Sequence, residues 1–198
     1  MQLRAEGVFF SYDGKKNILE DVNLVVNSGE VVGLLGPSGY GKSTLGKILA
    51  GYLRPQVGSG TMDGKNVLDI DGYHPVQLIH QHPEKAVNPK WKMRKIMTET
   101  RIPSRELIDA LDPKSSWLDR YPNELSGGEL QRFCVLRVLN EKTKFIIADE
   151  MTTMLDPVSQ VQIWKVVLKV AKENNMGVLV ISHDRELVRR VCDREVSL

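Results

Sequence analysis

Four features are scarce in this sequence of 198 residues, and each scarcity closes off a class of function. Cysteine occurs only twice, as Cys134 and Cys192, too few for a disulfide framework or a cysteine metal cluster. Both stand among apolar neighbours and read as small buried residues of a protein kept in a reducing compartment. Net charge is only +2, too small to draw the chain to nucleic acid or an anionic membrane surface, so no nucleic-acid partner is expected. Apolar runs of bilayer-spanning length are missing, and no basic-then-apolar secretory signal opens the sequence. The expectation is a soluble, cytoplasmic chain, with any membrane part of its work carried by another chain. Internal repeats and low-complexity segments are also missing. What remains, 41% apolar and 26% charged, is a globular composition, and the length suits one domain with a sizeable core.

Against this plain background one stretch stands out. Gly36-Pro37-Ser38-Gly39-Tyr40-Gly41-Lys42-Ser43-Thr44 fits G-x-x-x-x-G-K-[ST], the phosphate-binding loop. Its glycines let backbone N–H groups turn inward around an anion, and the helix expected from about Lys42 points its positive dipole end at the same place. Lys42 would reach terminal phosphates, and the Ser43 hydroxyl would hold Mg²⁺. The surroundings agree. Val31 to Leu35 is a short apolar run that reads as a buried strand, and Leu45, Ile48 and Leu49 recur at helical spacing before Gly51. A chance match in a chain this long is on the order of one in a hundred.

The first thirty residues read as β structure. Leu3, Ala5, Gly7 and Phe9 alternate with Arg4, Glu6, Val8 and Phe10, and Asp13-Gly14 is a turn signal. From His82 to Leu125 prolines at 83, 89, 103, 113 and 122 separate short helical pieces, Arg94 to Thr100 and Ser104 to Leu111 among them; this stretch reads as an inserted helical subdomain. Ser126 to Asn140 follows as a helix opened by the capping-box pattern Ser126-x-x-Glu129. Phe145 to Asp149 and Val178 to Ile181 read as further buried strands. Between them lies an amphipathic helix, Val161 to Lys172, with Val161, Trp164, Leu168 and Ala171 on one face. Strands alternating with helices imply an α/β fold with a parallel sheet and ligands at the carboxyl ends of its strands. The phosphate loop, Asp149-Glu150 and Ser182-His183 all fall at those ends.

An apolar strand ending in two acids is the second chemical signal. Asp149 can hold Mg²⁺, and Glu150 can orient or deprotonate an attacking water. Two solvated acids would be the default reading of such a pair; the strand and the upstream phosphate loop reverse it. Leu125-Ser126-Gly127-Gly128-Glu129 reads either as a capped helix start or as a second anion site built from free N–H groups and a hydroxyl.

These motifs, in this order, resemble the ATP-binding subunit of ABC transporters, whose signature is Leu-Ser-Gly-Gly-Gln or close to it. The resemblance covers nearly the whole chain and implies a P-loop ATPase of ABC type: a mostly parallel core with an N-terminal antiparallel part and an inserted helical subdomain. It places residues 1–81 and 141–198 in the core and 82–140 in the subdomain. Tyr12 matches the aromatic that stacks on adenine, and residues 36–44 match the phosphate loop. Gln81 matches the glutamine that contacts Mg²⁺ and the attacking water. Asp149 and Glu150 match the Mg²⁺-holding and catalytic acids, and His183 the histidine on the γ-phosphate. Ser126, Gly127, Gly128 and Glu129 match the signature that closes a partner's site, and Leu155-Asp156 the loop that touches that partner.

Gln81-His82-Pro83 through Asn88-Pro89, with Glu129-Leu130-Gln131-Arg132, is similar to the dipeptide, oligopeptide and nickel importer branch. The resemblance therefore implies ATP and Mg²⁺ as cofactors and a second ABC ATPase subunit and membrane permease subunits as partners. It implies a place at the cytoplasmic face of the membrane, and a cargo of peptides or nickel. The alternative is a soluble ABC ATPase without a permease; a repair type lacks its long heptad insert here, and a translation type its second domain. Tyr40, Met151, Thr153 and Met154 depart from the family pattern, and none of them removes a catalytic group.

Overall fold

The N-terminal alternation and the later apolar runs fold into two separate sheets. The computed structural model describes residues 1–99 and 102–198. Strands β1 (Gln2–Phe10), β2 (Leu19–Asn27), β4 (Val57–Met62) and β5 (Lys65–Asn66) form an antiparallel sheet in the order β2-β1-β4-β5. The period of two does not run through β1 unbroken. Gly7 takes a left-handed conformation, φ 55°, and the register shifts between Ala5 and Val8. This bulge changes the parity, so Val8 and Phe10 are buried with Leu3 and Ala5 instead of Gly7 and Phe9.

The second sheet is wholly parallel, in the order β6-β7-β8-β3-β9. Its strands are β3 (Val31–Leu35), β6 (Val76–Ile79), β7 (Phe145–Asp149), β8 (Gly177–Ile181) and β9 (Arg194–Ser197). Every residue of β7 and β8 is buried, as expected where both faces are covered. Leu34, Ile147, Leu179 and Ile181 pack toward the antiparallel sheet and helix α1 (Lys42–Leu49). Ile146, Ala148, Val178 and Val180 pack on the other side with Phe133, Ile163 and Val167.

Between β6 and β7 the described residues contain no strand. They form α2 (Met93–Met97), α3 (Arg105–Leu111), α4 (Gly127–Val138) and single 3-10 turns at Pro83–Lys85, Ser115–Trp117 and Pro122–Glu124. The helical piece read as Arg94 to Thr100 is thus shorter and one residue earlier, and Thr100 lies outside the described residues. Helix α3 begins where Ser104 accepts a hydrogen bond from Leu107 N–H. Helix α5 (Pro157–Glu173) follows β7, and α6 (Arg185–Val191) follows β8. The buried face of α5 is Ile163, Trp164, Val167, Val170 and Ala171. Val161 is exposed and Leu168 only half-buried, so the face is rotated by about a quarter turn from the one expected and keeps Trp164 and Ala171.

Candidate functional site

Strand β3 delivers the chain to a loop whose glycines take conformations that other residues rarely adopt. Gly39 and Gly41 have φ of 83° and 91°, and a Cβ on Gly41 would lie 2.5 Å from Leu19 Cδ2 and 2.9 Å from the Ile18 carbonyl. Gly41 caps α1 without a side chain, so the first-turn N–H groups of that helix carry no side-chain cap. Lys42 is buried and folds back on its own loop, with Nζ 2.6 Å from the Gly36 carbonyl and 2.8 Å from that of Pro37. Beside the loop runs an open cleft of about 420 Å³, lined by Tyr12, Ile18, Ser38, Gly39, Gly41, Lys42, Ser43, Thr44, Gln81 and Glu150.

Strand β7 brings two carboxylates to the same end of the sheet. Asp149 accepts a hydrogen bond from Ser43 Oγ at 2.9 Å. Burial holds the Asp149 carboxyl above the usual carboxylate range; the Ser43 hydrogen bond opposes this, the Glu150 charge adds to it, and Lys47 and Lys42 oppose it. Glu150 leaves the strand in a left-handed conformation, φ 46°, with its N–H donating to the Ile181 carbonyl at 3.0 Å. That turn parts the neighbouring carboxylates. Gln81 Nε2 donates to Glu150 Oε2 at 2.8 Å, and His183 Nδ1 lies 2.9 Å from Oε1. A carboxylate only accepts, so Nδ1 carries the hydrogen in this contact and Nε2 is left for another partner.

Tyr12 stands at the rim, exposed, edge-on to Phe10 at 4.8 Å, with its hydroxyl 3.2 Å from Thr44 Oγ1. Tyr40 is also exposed and does not line the cleft.

The remaining candidates stand apart. Ser126, Gly127, Gly128, Glu129 and Asp156 are not among the residues lining the cleft; Gly36, Pro37, Asp149 and His183 do not line it either, but Asp149 and His183 are hydrogen-bonded to its Ser43 and Glu150. Ser126 and Glu129 form a full capping box: Ser126 Oγ accepts from Glu129 N–H, and the Glu129 carboxylate accepts from Ser126 N–H at 2.8 Å. Because Ser126 Oγ only accepts in this cap, its own hydrogen is not used by the cap, and among the described residues no side-chain cap covers the N–H groups of Gly127 and Gly128. The capped helix start and the anion-binding surface are therefore compatible. Leu155 rests against the signature: a Cβ on Gly128 would lie 2.9 Å from Leu155 Cδ2.

Several contributors escaped the sequence reading. Ile18 lines the cleft. On α4, Gln131 Nε2, Cys134 Sγ and Arg137 Nη1 donate to the carbonyls of His80, Pro83 and Ala86, at 3.3, 3.7 and 2.7 Å. Residues i, i+3 and i+6 of the helix thus meet residues j, j+3 and j+6 of the segment that begins beside Gln81.

The sequence profile described as ABC transporter matches residues 19–153. The chain belongs to the ABC transporter ATP-binding family. Among its relatives is the nickel import ATP-binding protein NikE of Shigella boydii serotype 4, 33% identical over 208 residues, covering 96% of this chain and 78% of the relative. The NikE protein of Escherichia coli strain K12 has the same identity and coverage.

Among solved structures, the ATP-binding cassette MJ0796, a dimer in a post-hydrolysis state bound to ADP and Pi, superposes with TM-score 0.84 at 25% identity, covering 99% of this chain and 94% of that one. An ATP-binding subunit of an ABC transporter superposes with TM-score 0.87 at 23% identity, which speaks for the fold alone. The parallel sheet, the antiparallel sheet beside it and the phosphate loop are those of an ABC-type P-loop ATPase.

Proposed function

We propose that this protein is the ATP-hydrolysing subunit that energises an ABC-type importer, with nickel or a chelated metal as its cargo. The peptide importers share the loop pattern at residues 81–89, but the NikE relatives favour nickel. The observation that carries the reading is one of placement. Lys42, Ser43, Gln81 and Glu150 line one cleft, Asp149 and His183 are hydrogen-bonded to its Ser43 and Glu150, and Ser126 and Asp156 are not among its lining residues.

ATP phosphates would sit on residues 36–44, with the adenine against Tyr12. Lys42, released from the Gly36 and Pro37 carbonyls, and the loop N–H groups stabilise charge on the transferring phosphoryl group. Ser43 hydroxyl, Asp149 carboxylate and the Gln81 amide oxygen form an all-oxygen donor set that fits Mg²⁺, and a carboxylate held against burial favours a cation. A Mg²⁺ ion held by these residues would supply positive charge against the phosphate oxygens. Glu150 accepts the proton of the attacking water, and His183 hydrogen-bonds the γ-phosphate. Ser126, Gly127, Gly128 and Glu129 close the site of a second ATPase subunit, identical or paralogous, and Asp156 contacts it.

Residues 1–81 and 141–198 serve as the ATP-binding core. Residues 82–140 serve as the helical subdomain that passes its motion to permease subunits. The protein thus works at the cytoplasmic face of the membrane; among the described residues no helix is long and apolar enough to cross one. The experiment is recovery of the tagged chain from solubilised membranes, with mass identification of what comes with it. A bound permease whose transport of Ni²⁺ requires Glu150 is the expected result. A chain that stays wholly in the soluble fraction with full ATPase activity would instead favour an ABC ATPase without a permease.

A further inference from the structure

Arg132 lies six residues beyond Ser126, and its guanidinium joins three helices. Nη1 donates to the Leu111 carbonyl at 2.8 Å and to Gln162 Oε1 at 3.0 Å, and Nη2 donates to Ser159 Oγ at 3.2 Å. Leu111 is the last residue of α3, where carbonyls lack helical partners and a cation is favoured. Gln162, on α5, donates in turn to the neighbouring Ala110 carbonyl at 2.9 Å. Ser159 also gives its N–H to Asp156 Oδ1 at 3.0 Å, as part of the cap that starts α5. A connected path therefore runs from Ser126 along the backbone of α4 to Arg132, across its guanidinium to Ser159 Oγ, and through the Ser159 N–H to Asp156. A shorter apolar path runs beside it, where Leu155 rests on Gly128.

We infer that Arg132 is a positioning residue that fixes Ser126 and Asp156, the two partner-facing elements, as one body with α3. The inference rests on the reading that the site is completed by a second subunit. It explains why a fork is needed: three acceptors from two other helices lie within reach of one planar guanidinium, and a lysine at the same place could satisfy only part of them. It also assigns the effect. Arg132 touches nothing in the nucleotide cleft, so its loss leaves the chain's own phosphate loop intact and impairs only what the chain offers its partner.

The test uses Arg132→Lys, which keeps the charge, and Arg132→Met. On the isolated chain, amide exchange at the end of α3 and the first turn of α5 rises about tenfold in both variants, while β7 and β8 are unchanged and ATP binding stays within about twofold. Turnover falls about tenfold or more. Mixing then separates the roles. Added Lys42→Ala chain restores turnover, because the Arg132→Lys loop now faces an intact signature; added Ser126→Arg chain does not. Wild-type exchange in α3 and α5 overturns the inference, as does equal recovery with both partners or loss of ATP binding in parallel with turnover. Failure of the underlying reading shows separately: Ser126→Arg mixed with Lys42→Ala then gives no recovery, and the inference falls with it.

Discussion

In the parallel sheet, Phe145–Asp149 and Gly177–Ile181 are buried at every position, and their neighbours are apolar side chains from both faces. Helix α4 shares that apolar core, yet it is also fastened to the segment from His80 to Ala86, to the end of α3 and to α5 by side chains that reach for carbonyls and hydroxyls. The two kinds of attachment differ in what they permit. Burial of an aliphatic side chain is worth roughly 1.5–3 kcal/mol and is lost only by separation. A net hydrogen bond is worth about 0.5–1.5 kcal/mol and can be exchanged for another partner or water. The end of β7 therefore holds Asp149 and Glu150 in place, while part of what fastens α4 can be exchanged for other partners.

The comparison can be broken first at its chemical end. Glu150→Gln should keep ATP binding and lose turnover by about 10²–10⁴-fold, because the amide preserves the contacts to Gln81 and His183 in shape but takes no proton. ATPase assays beside equilibrium binding check this, and wild-type rates would contradict it. Next comes the sheet. Phe145, fully buried with its ring over Gly177, should cost about 3–5 kcal/mol as Phe145→Ala in chemical denaturation, with nucleotide binding falling alongside.

The contrasting change is Arg137→Met. It keeps the aliphatic stem but removes the bond to the Ala86 carbonyl and the 2.6 Å pair with Glu99. A loss of about 1–2 kcal/mol is expected, with ATP affinity unaltered. If Arg137→Met weakened ATP binding as Phe145→Ala does, the two regions would not differ in the way described.

The smallest expected effect concerns pH. Burial above all, with the Glu150 charge adding, raises the Asp149 carboxyl above its unfolded value, against the Ser43 hydrogen bond. A group raised on folding binds more protons in the folded chain, so its contribution is present at low pH and lost as pH rises through the folded value. Melting in chelator from about pH 4 upward should show Asp149→Asn gaining on wild type as pH rises, then levelling. A gap that does not change with pH contradicts this assignment.

Much of the site was legible before any coordinates, because its motifs carry their own geometry. Residues 36–44 demand positive φ at glycines and a helix start at Lys42, and both are there. Phe145 to Asp149 and Val178 to Ile181 were plain as apolar runs. Less legible were β6 and β9, four residues each, the latter with only Val196 apolar and at an edge of the sheet. The Gly7 bulge was hidden because Phe9 and Phe10 are both apolar, so either parity fits the sequence. On α5 the pattern misled for a related reason: Val161, Ile163, Trp164, Val167 and Leu168 supply more apolar positions than one face can use, and packing against α4 and the sheet chose among them. Arg132 and the Gln131–Cys134–Arg137 ladder were out of reach, since the residues they bind offer only backbone carbonyls and small polar groups.

The central claim is that each phosphate loop works only against another subunit's signature, and one measurement bears on it directly. Ser126→Arg chain and Lys42→Ala chain are each assayed alone, then mixed over a range of ratios, with wild-type rate followed against concentration. The account predicts two inactive proteins that recover part of the wild-type rate on mixing, together with a wild-type rate per subunit that rises with concentration. A concentration-independent wild-type rate, with no recovery at any ratio, would contradict it.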